Sequence, residues 1–305
     1  MADIRILASG LRFPEGPVAM ADGSVILGEI AGGAVTRVAA DGAKTEIGKA
    51  GGGPNGVATG PDGALYVCNN GGAVYETTPS FLSTGPAPDY KNGSIQRLDL
   101  KTGETRVLYS ACNGHKLSAP NDIVFDRQGG FYFTDLGKRY AHNRDHGGLY
   151  YALPDGSKVT ELAYPIVSPN GVGLSPDEKT VYVADTESSR LFAFDIVAPG
   201  TVKREHFPAP YGGRIICGLP GFQRFDSLAV EASGNICVAT LVTGHITVIS
   251  PAGEVVRQVK MPDVYPTNIC FGGPDLRTAY ITLSASGQLA AMEWPEPGLR
   301  LNFMA

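Results

Sequence analysis

The chain is predicted to be all-β, a six-bladed β-propeller with a central channel. A β-hairpin template recurs six times in register, an apolar β-branched or aromatic strand follows each turn, and the repeat runs end to end without a linker. Meanders of this size cannot bury both faces alone, and neighbouring copies cover one another when arranged radially. The clearest copy is residues 168–185, a strand opened by Asn170, a turn at Pro176 and Asp177, and a second strand at 181–183.

With Asn170 as reference, the turn residue Asp177 follows seven positions on. Glu15 leads in the same way to Asp22, Asn55 to Asp62, Asn121 to Gln128, Asp226 to Ser233 and Asn268 to Asp275. Second strands are expected at 25–27, 65–67, 131–133, 181–183, 236–238 and 279–281, and third strands at 34–38, 94–98, 148–152, 191–194, 246–249 and 289–292. Fourth strands are visible at 104–108, 158–162 and 254–259. Residues 3–8 form an orphan strand that belongs to no repeat; it is expected to pair as the outer strand of the last blade and close the ring, in competition with 299–303. The Gly-His and Trp-Asp marks of WD40 repeats are missing, and the repeat spacing varies because loops are inserted.

One domain spanning residues 1–305 follows from the unbroken repeat, since all-β architectures often reach this size. With 43% hydrophobic and 18% charged residues, the composition is that of an ordinary globular protein. A formal net charge of -5 and the lack of a Lys/Arg run argue against nucleic acid or anionic membrane as partners. The beginning, Met-Ala-Asp-Ile-Arg-Ile, has no signal-peptide pattern and no apolar segment reaches transmembrane length, so the expectation is a cytoplasmic monomer or weak homo-oligomer. Five cysteines without a Cys-x-x-Cys agree with a reducing compartment. Cys68, Cys237 and Cys270 read as buried strand residues, whereas Cys112 and Cys217 read as loop residues, open to one disulfide or a reactive thiol.

Three segments exceed what a propeller needs and are candidates for building a site. Residues 69–92 carry Tyr75, Phe81 and Tyr90; residues 136–147 carry Lys138, Arg139, Tyr140, His142, Arg144 and His146; residues 207–224 carry Tyr211, Arg214 and Phe222.

The first strand of each blade lines the channel, and the reference residue stands where that strand begins. All six carry a side-chain oxygen: Glu15, Asn55, Asn121, Asn170, Asp226 and Asn268. They should converge at one mouth. Carboxylates and carboxamides without His or Cys form a hard-oxygen cage for Ca²⁺, Mg²⁺ or Mn²⁺. A dication would also offset the repulsion between Glu15 and Asp226. Asn and Asp also cap turns, but Glu15 is a poor turn former.

Several motifs in order carry a resemblance: Phe13-Pro14-Glu15-Gly16-Pro17, Pro120-Asn121-Asp122, Pro169-Asn170-Gly171 followed by Leu174-Ser175-Pro176-Asp177, and Phe225-Asp226-Ser227. Together they resemble the SMP-30/gluconolactonase/luciferin-regenerating-enzyme family over essentially the whole chain. The resemblance implies a six-bladed propeller with one divalent cation, Ca²⁺ foremost and Mg²⁺, Mn²⁺ or Zn²⁺ as alternatives, and hydrolysis of a small lactone, many members acting on sugar lactones. It implies direct metal binding by Glu15, Asn170 and Asp226, with Asn121 either completing the set or contacting it through water and substrate. Asn55 and Asn268 rest on the repeat argument and are taken with Asn121, His115 and Tyr75 as substrate contacts. An Arg that some members place two residues before the Asn121 position is Ala119 here, so their sugar-acid specificity does not carry over.

An open-sided cation can polarise a lactone carbonyl and acidify an attacking water. Asp226 is the candidate base, with a metal-bound hydroxide acting alone as the variant. Serine hydrolase chemistry is disfavoured because Gly-x-Ser-x-Gly is absent. His115, His142 and His146 are expected in loops near the mouth, where an imidazole can serve as an acid or a substrate contact. Two other readings use the same cage: a phosphotriester hydrolase similar to diisopropyl fluorophosphatase, and a non-enzymatic propeller tied together by Ca²⁺.

Overall fold

A computed structural model describes residues 3–76 and 82–304. Six antiparallel sheets stand in the predicted order. Blade one comprises Pro14–Ala19, Val25–Glu29, Ala34–Val38 and Lys44–Lys49; blade two Pro54–Thr59, Leu65–Asn69, Ser94–Leu98 and Thr105–Tyr109; blade three Pro120–Phe125, Phe131–Asp135, Gly147–Ala152 and Val159–Ile166. Blade four comprises Pro169–Leu174, Thr180–Asp185, Arg190–Ala198 and Arg214–Gly218, and blade five Arg224–Val230, Ile236–Leu241, His245–Ile249 and Val255–Lys260. Pro266–Gly272, Thr278–Leu283 and Gln288–Glu293 form blade six, completed by the N-terminal strand Arg5–Ala8, which pairs Arg5 with Ala291 and Ile6 with Ala290. The first and last parts of the chain thus share one sheet, and the ring has no open seam.

Six hydrophobic clusters, each drawing on two neighbouring blades, hold the ring together. Between blades two and three, Tyr66, Ile95 and Tyr109 meet Phe125, Phe131 and Phe133; between blades six and one, Cys270, Tyr280 and Leu289 meet Ala19, Val25 and Leu27. A single four-stranded sheet has no such second layer, which is why the repeat is stable only as a ring. Between blades five and six, Trp294 and Glu231 are both fully buried, and the indole Nε1 donates to Glu231 Oε1 at 2.8 Å. The same carboxylate pairs with Arg257, whose guanidinium lies 5.3 Å from the Trp294 ring centroid.

Three sequence expectations are corrected. Part of the segment read as an insertion at 207–224 is the outer strand of blade four, Arg214–Gly218, paired with Arg190–Ala198. Its exposed apolar residues and flanking glycines hide the β pattern, and the short strand Thr201–Lys203 pairs with the far half of the same neighbour. Residues 299–303 do not compete for the last blade. They cross the channel mouth opposite the reference residues, where Asn302 Nδ2 donates to the Phe125 carbonyl (3.1 Å) and Glu178 Oε1 (2.7 Å), and Phe303 packs edge-on against Phe125. Cys112 and Cys217 lie in strands rather than loops, and all five cysteines are buried and unpaired. Among the described residues, no helix is long and apolar enough to cross a membrane.

Candidate metal centre and active site

Each inner strand begins with an irregularity in its pairing, and that irregularity builds the site. Register with the second strand breaks between Glu15 and Val18, Pro54 and Val57, Pro120 and Ile123, Pro169 and Val172, Phe225 and Leu228, and Pro266 and Asn268. A bulge of this kind bends the strand and re-aims its side chains. Glycine follows the reference residue in three blades, and the reason is close packing. A Cβ on Gly56 would lie 2.5 Å from the Asn121 carbonyl, and one on Gly171 would lie 2.7 Å from the Asp226 carbonyl. Adjacent inner strands therefore meet at the level of the reference residues.

In blades one to four the loop entering the inner strand is anchored from the end of the second strand. Glu29 Oε2 accepts from the Arg12 amide (2.7 Å), Asn69 Oδ1 from Gly53 (3.0 Å), Asp135 from Ser118 and Ala119 (2.6 and 2.7 Å), and Asp185 Oδ2 from Ser168 (2.8 Å). Satisfying these amides, buried in blades two to four, fixes where the inner strand starts. Asn69 is thus part of the blade framework, and the insertion proper begins after it.

Glu15, Asn55, Asn121, Asn170 and Asp226 all line one cavity of about 520 Å³ at the channel mouth. All five are buried, at 3 to 7% exposure. Asn268 does not line this cavity: its Nδ2 donates to Glu15 Oε2 at 3.1 Å, and its Oδ1 accepts from the Ile269 amide. It orients Glu15 from behind. Tyr75 does line the cavity, packed on Phe13 with ring centroids 5.1 Å apart. Burial and the nearby Glu15 charge hold its phenol above the ordinary range.

Other candidates stand elsewhere. His115 lies in the two-stranded ribbon Ala111–Cys112 with His115–Lys116; it is exposed and outside the cavity lining, as are His142 and His146. Tyr90 donates to the Ser118 carbonyl at the entry to blade three, and Tyr211 packs on Phe192 in blade four. Phe81 lies outside the described residues. Lys138 lines the cavity but is occupied structurally: Nζ donates to the Asn70 and Gly72 carbonyls (2.7 Å each) and sits 4.5 Å from the Tyr90 ring centroid. Burial lowers its pKa to about 8.

Three acids at the starts of inner strands have carboxyls held above the ordinary range, as do Asp126 and Asp135 elsewhere in the blades. Burial raises Glu15 to about 7 and Asp122 to about 7, and raises Asp226 well above the carboxylate range, with the charges of Glu15 and Asp122 adding to the effect at Asp226. No ion pair among the described residues includes any of them. Asp122 escaped the sequence reading. It spans the inner strands of blades three and four, accepting from the amides of Ile123 (3.0 Å) and Val172 (3.2 Å). Its signal was present: it occupies the position after the reference residue, which is glycine in blades one, two and four.

Whether these residues suit a dication is decided by their unpaired oxygens. Asn55 Oδ1 and Asn121 Oδ1 are buried and have no hydrogen-bond partner among the described residues. Orphan acceptors beside repelling carboxylates are costly unless a cation or water satisfies them. No three His, Cys, Asp or Glu side chains among the described residues form a ready-made metal cluster. The donor set is instead mixed, two carboxylates with carboxamides, which fits a hard cation.

Comparison with known proteins agrees with this architecture. The model of the SMP-30/gluconolactonase/LRE-like region matches residues 13–285. The chain is 31% identical over 261 residues to "Lactonase drp35" of Staphylococcus saprophyticus, covering 85% of this chain and 72% of that protein. Among solved structures, a gluconolactonase from Xanthomonas campestris is 23% identical with a TM-score of 0.76, covering 96% of this chain and 90% of that one. The calcium-binding protein regucalcin from Agrobacterium tumefaciens is 19% identical with a TM-score of 0.74 and 98% coverage of both chains. At such identities the solved structures speak to the propeller fold, whereas the family match spans most of the chain. The chain belongs to the SMP-30/gluconolactonase/LRE-like family.

Proposed function

We propose that the protein is a metal-dependent lactonase that hydrolyses the ester bond of a small lactone in the channel-mouth cavity. The observation that carries this reading is the pair of orphan carboxamide oxygens, Asn55 Oδ1 and Asn121 Oδ1, beside buried Glu15 and Asp226 in a cavity of small-molecule size. The lactonase name borne by a relative of 31% identity supports the reaction class.

Glu15, Asn170 and Asp226 would hold one divalent cation, Ca²⁺ first, with Asn121 completing the set. A cation there supplies carbonyl polarisation and a more acidic water. Asp226 takes the proton of the attacking water and returns it to the ring oxygen as the ester opens. Asn268 keeps Glu15 in place, and Asn55, whose Oδ1 is unpaired, accepts from a substrate hydroxyl. Phe13 and Tyr75 wall the cavity and exclude bulk water, which strengthens each polar contact inside.

The test is hydrolysis of γ- and δ-lactones, aldonolactones included, by protein stripped with chelator and reloaded with one metal at a time. Turnover restored by Ca²⁺, Mg²⁺ or Mn²⁺ is expected. Turnover untouched by chelation would refute the metal role, and phosphotriesters hydrolysed in place of lactones would refute the substrate class.

A further inference from the structure

The cavity wall has a charge asymmetry that the lactonase chemistry does not use. The position two residues before the reference residue lines the cavity in four blades, at Phe13, Ala119, Ser168 and Arg224. Its occupants are Phe13, Gly53, Ala119, Ser168, Arg224 and Pro266, and only Arg224 is charged. Arg224 lines the cavity two residues from Asp226, and its guanidinium is stacked 5.4 Å from the Phe222 ring centroid.

Arg224 Nη2 meets Glu187 Oε2 at 3.1 Å, and Arg144 Nη1 stands 3.7 Å from Glu187 Oε1. All three residues line the cavity, from the loop of blade three, the turn of blade four and the inner strand of blade five. Two guanidiniums share one carboxylate, and Arg144 also donates through Nη2 to the Leu136 carbonyl (3.1 Å), which leaves Arg224 the freer of the two. Arg224 Nε is buried and has no partner among the described residues, so the cluster has an unused donor of its own. An unsatisfied guanidinium N–H at a cavity wall is costly and calls for an acceptor. The planar fork of Arg suits a carboxylate, which it binds through charge-assisted bonds.

We propose that Arg224 and Arg144, with Glu187 as their shared counterion, form a carboxylate-binding subsite, so that the substrate is a small lactone bearing one free carboxylate. Substrate carboxylate on Arg224 orients the ring with its ester toward Asp226, the other functional residue of the same strand. This subsite rests on the lactonase reading for its reaction but not for its binding.

The metal-loaded enzyme is assayed with γ-butyrolactone-3-carboxylate and γ-butyrolactone-3-carboxamide, which differ in charge and little in shape. The carboxylate is expected to have the higher kcat/KM by about tenfold, roughly 1.4 kcal/mol, expressed mainly in KM. Arg224→Gln should remove that preference. Glu187→Gln, which removes the competing carboxylate from Arg224, should increase it. A wild-type ratio near one, or a ratio unmoved by both substitutions, overturns the proposal. Binding of cyclopentanecarboxylate and cyclopentanecarboxamide is measured by calorimetry alongside. If neither lactone is hydrolysed, the reaction reading fails on its own. The subsite then stands if the carboxylate binds about tenfold more tightly and Arg224→Gln abolishes that difference, and it falls if the two bind alike.

Discussion

Glu15→Gln is expected to stabilise the metal-free protein at pH 8 while abolishing most of the stabilisation that metal confers. Burial raises the Glu15 carboxyl from 4.5 to about 7. A carboxyl that binds its proton more tightly when folded adds no penalty below its unfolded value. The cost grows as pH rises through the window from about 4.5 to about 7 and is fully present above it. With one pKa unit worth about 1.36 kcal/mol, an ionised Glu15 costs the apo fold on the order of 3 kcal/mol at pH 8. Gln removes that cost and keeps an oxygen to accept from the Gly16 amide and Asn268 Nδ2, the two bonds Glu15 Oε2 makes. Metal works in the opposite sense, since it holds the carboxylate ionised, and at one hundred times Kd it adds about 2.7 kcal/mol. The assay is denaturant or thermal unfolding of both proteins at pH 5 and pH 8, with chelator and with saturating Ca²⁺. A stabilisation of the apo protein at pH 8 that shrinks toward pH 5, with a reduced response to Ca²⁺, is the expected pattern. The reasoning is refuted if the variant is less stable than wild type without metal at pH 8, or if its advantage does not change with pH.

Asp226→Asn keeps size and a coordinating oxygen but removes the base, so kcat should fall by at least about a hundredfold even at saturating metal, with occupancy checked by elemental analysis; near wild-type turnover would assign water activation to the metal alone. Asn55→Ala should retain the ion and raise KM, and loss of metal on that substitution would make Asn55 a ligand. Glu231→Gln removes the charge partner of Arg257, whose side chain is one-quarter exposed, and unfolding should register a loss of about 1–3 kcal/mol with little change in metal affinity.

Much of this molecule was legible in its sequence, because a propeller repeats one local pattern six times and errors in one copy are corrected by the others. The turn residues and the apolar strands after them located the inner, second and third strands of all six blades, and the in-register oxygens placed Glu15, Asn55, Asn121, Asn170 and Asp226 around one cavity. Outer strands such as Lys44–Lys49 and Arg214–Gly218 were missed, since an outer strand is half solvated and its composition resembles that of a loop. Tertiary structure alone decided the finer assignments, because they depend on which blade faces which. It turned Asn268 away from the cavity to brace Glu15 and joined Asp122 to Val172 across two blades. It laid Leu299–Asn302 along the cavity at the far mouth and gathered Arg144, Glu187 and Arg224 from three blades. Local sequence fixes where a strand begins and which side chains it carries; closure of the ring fixes which of those side chains meet.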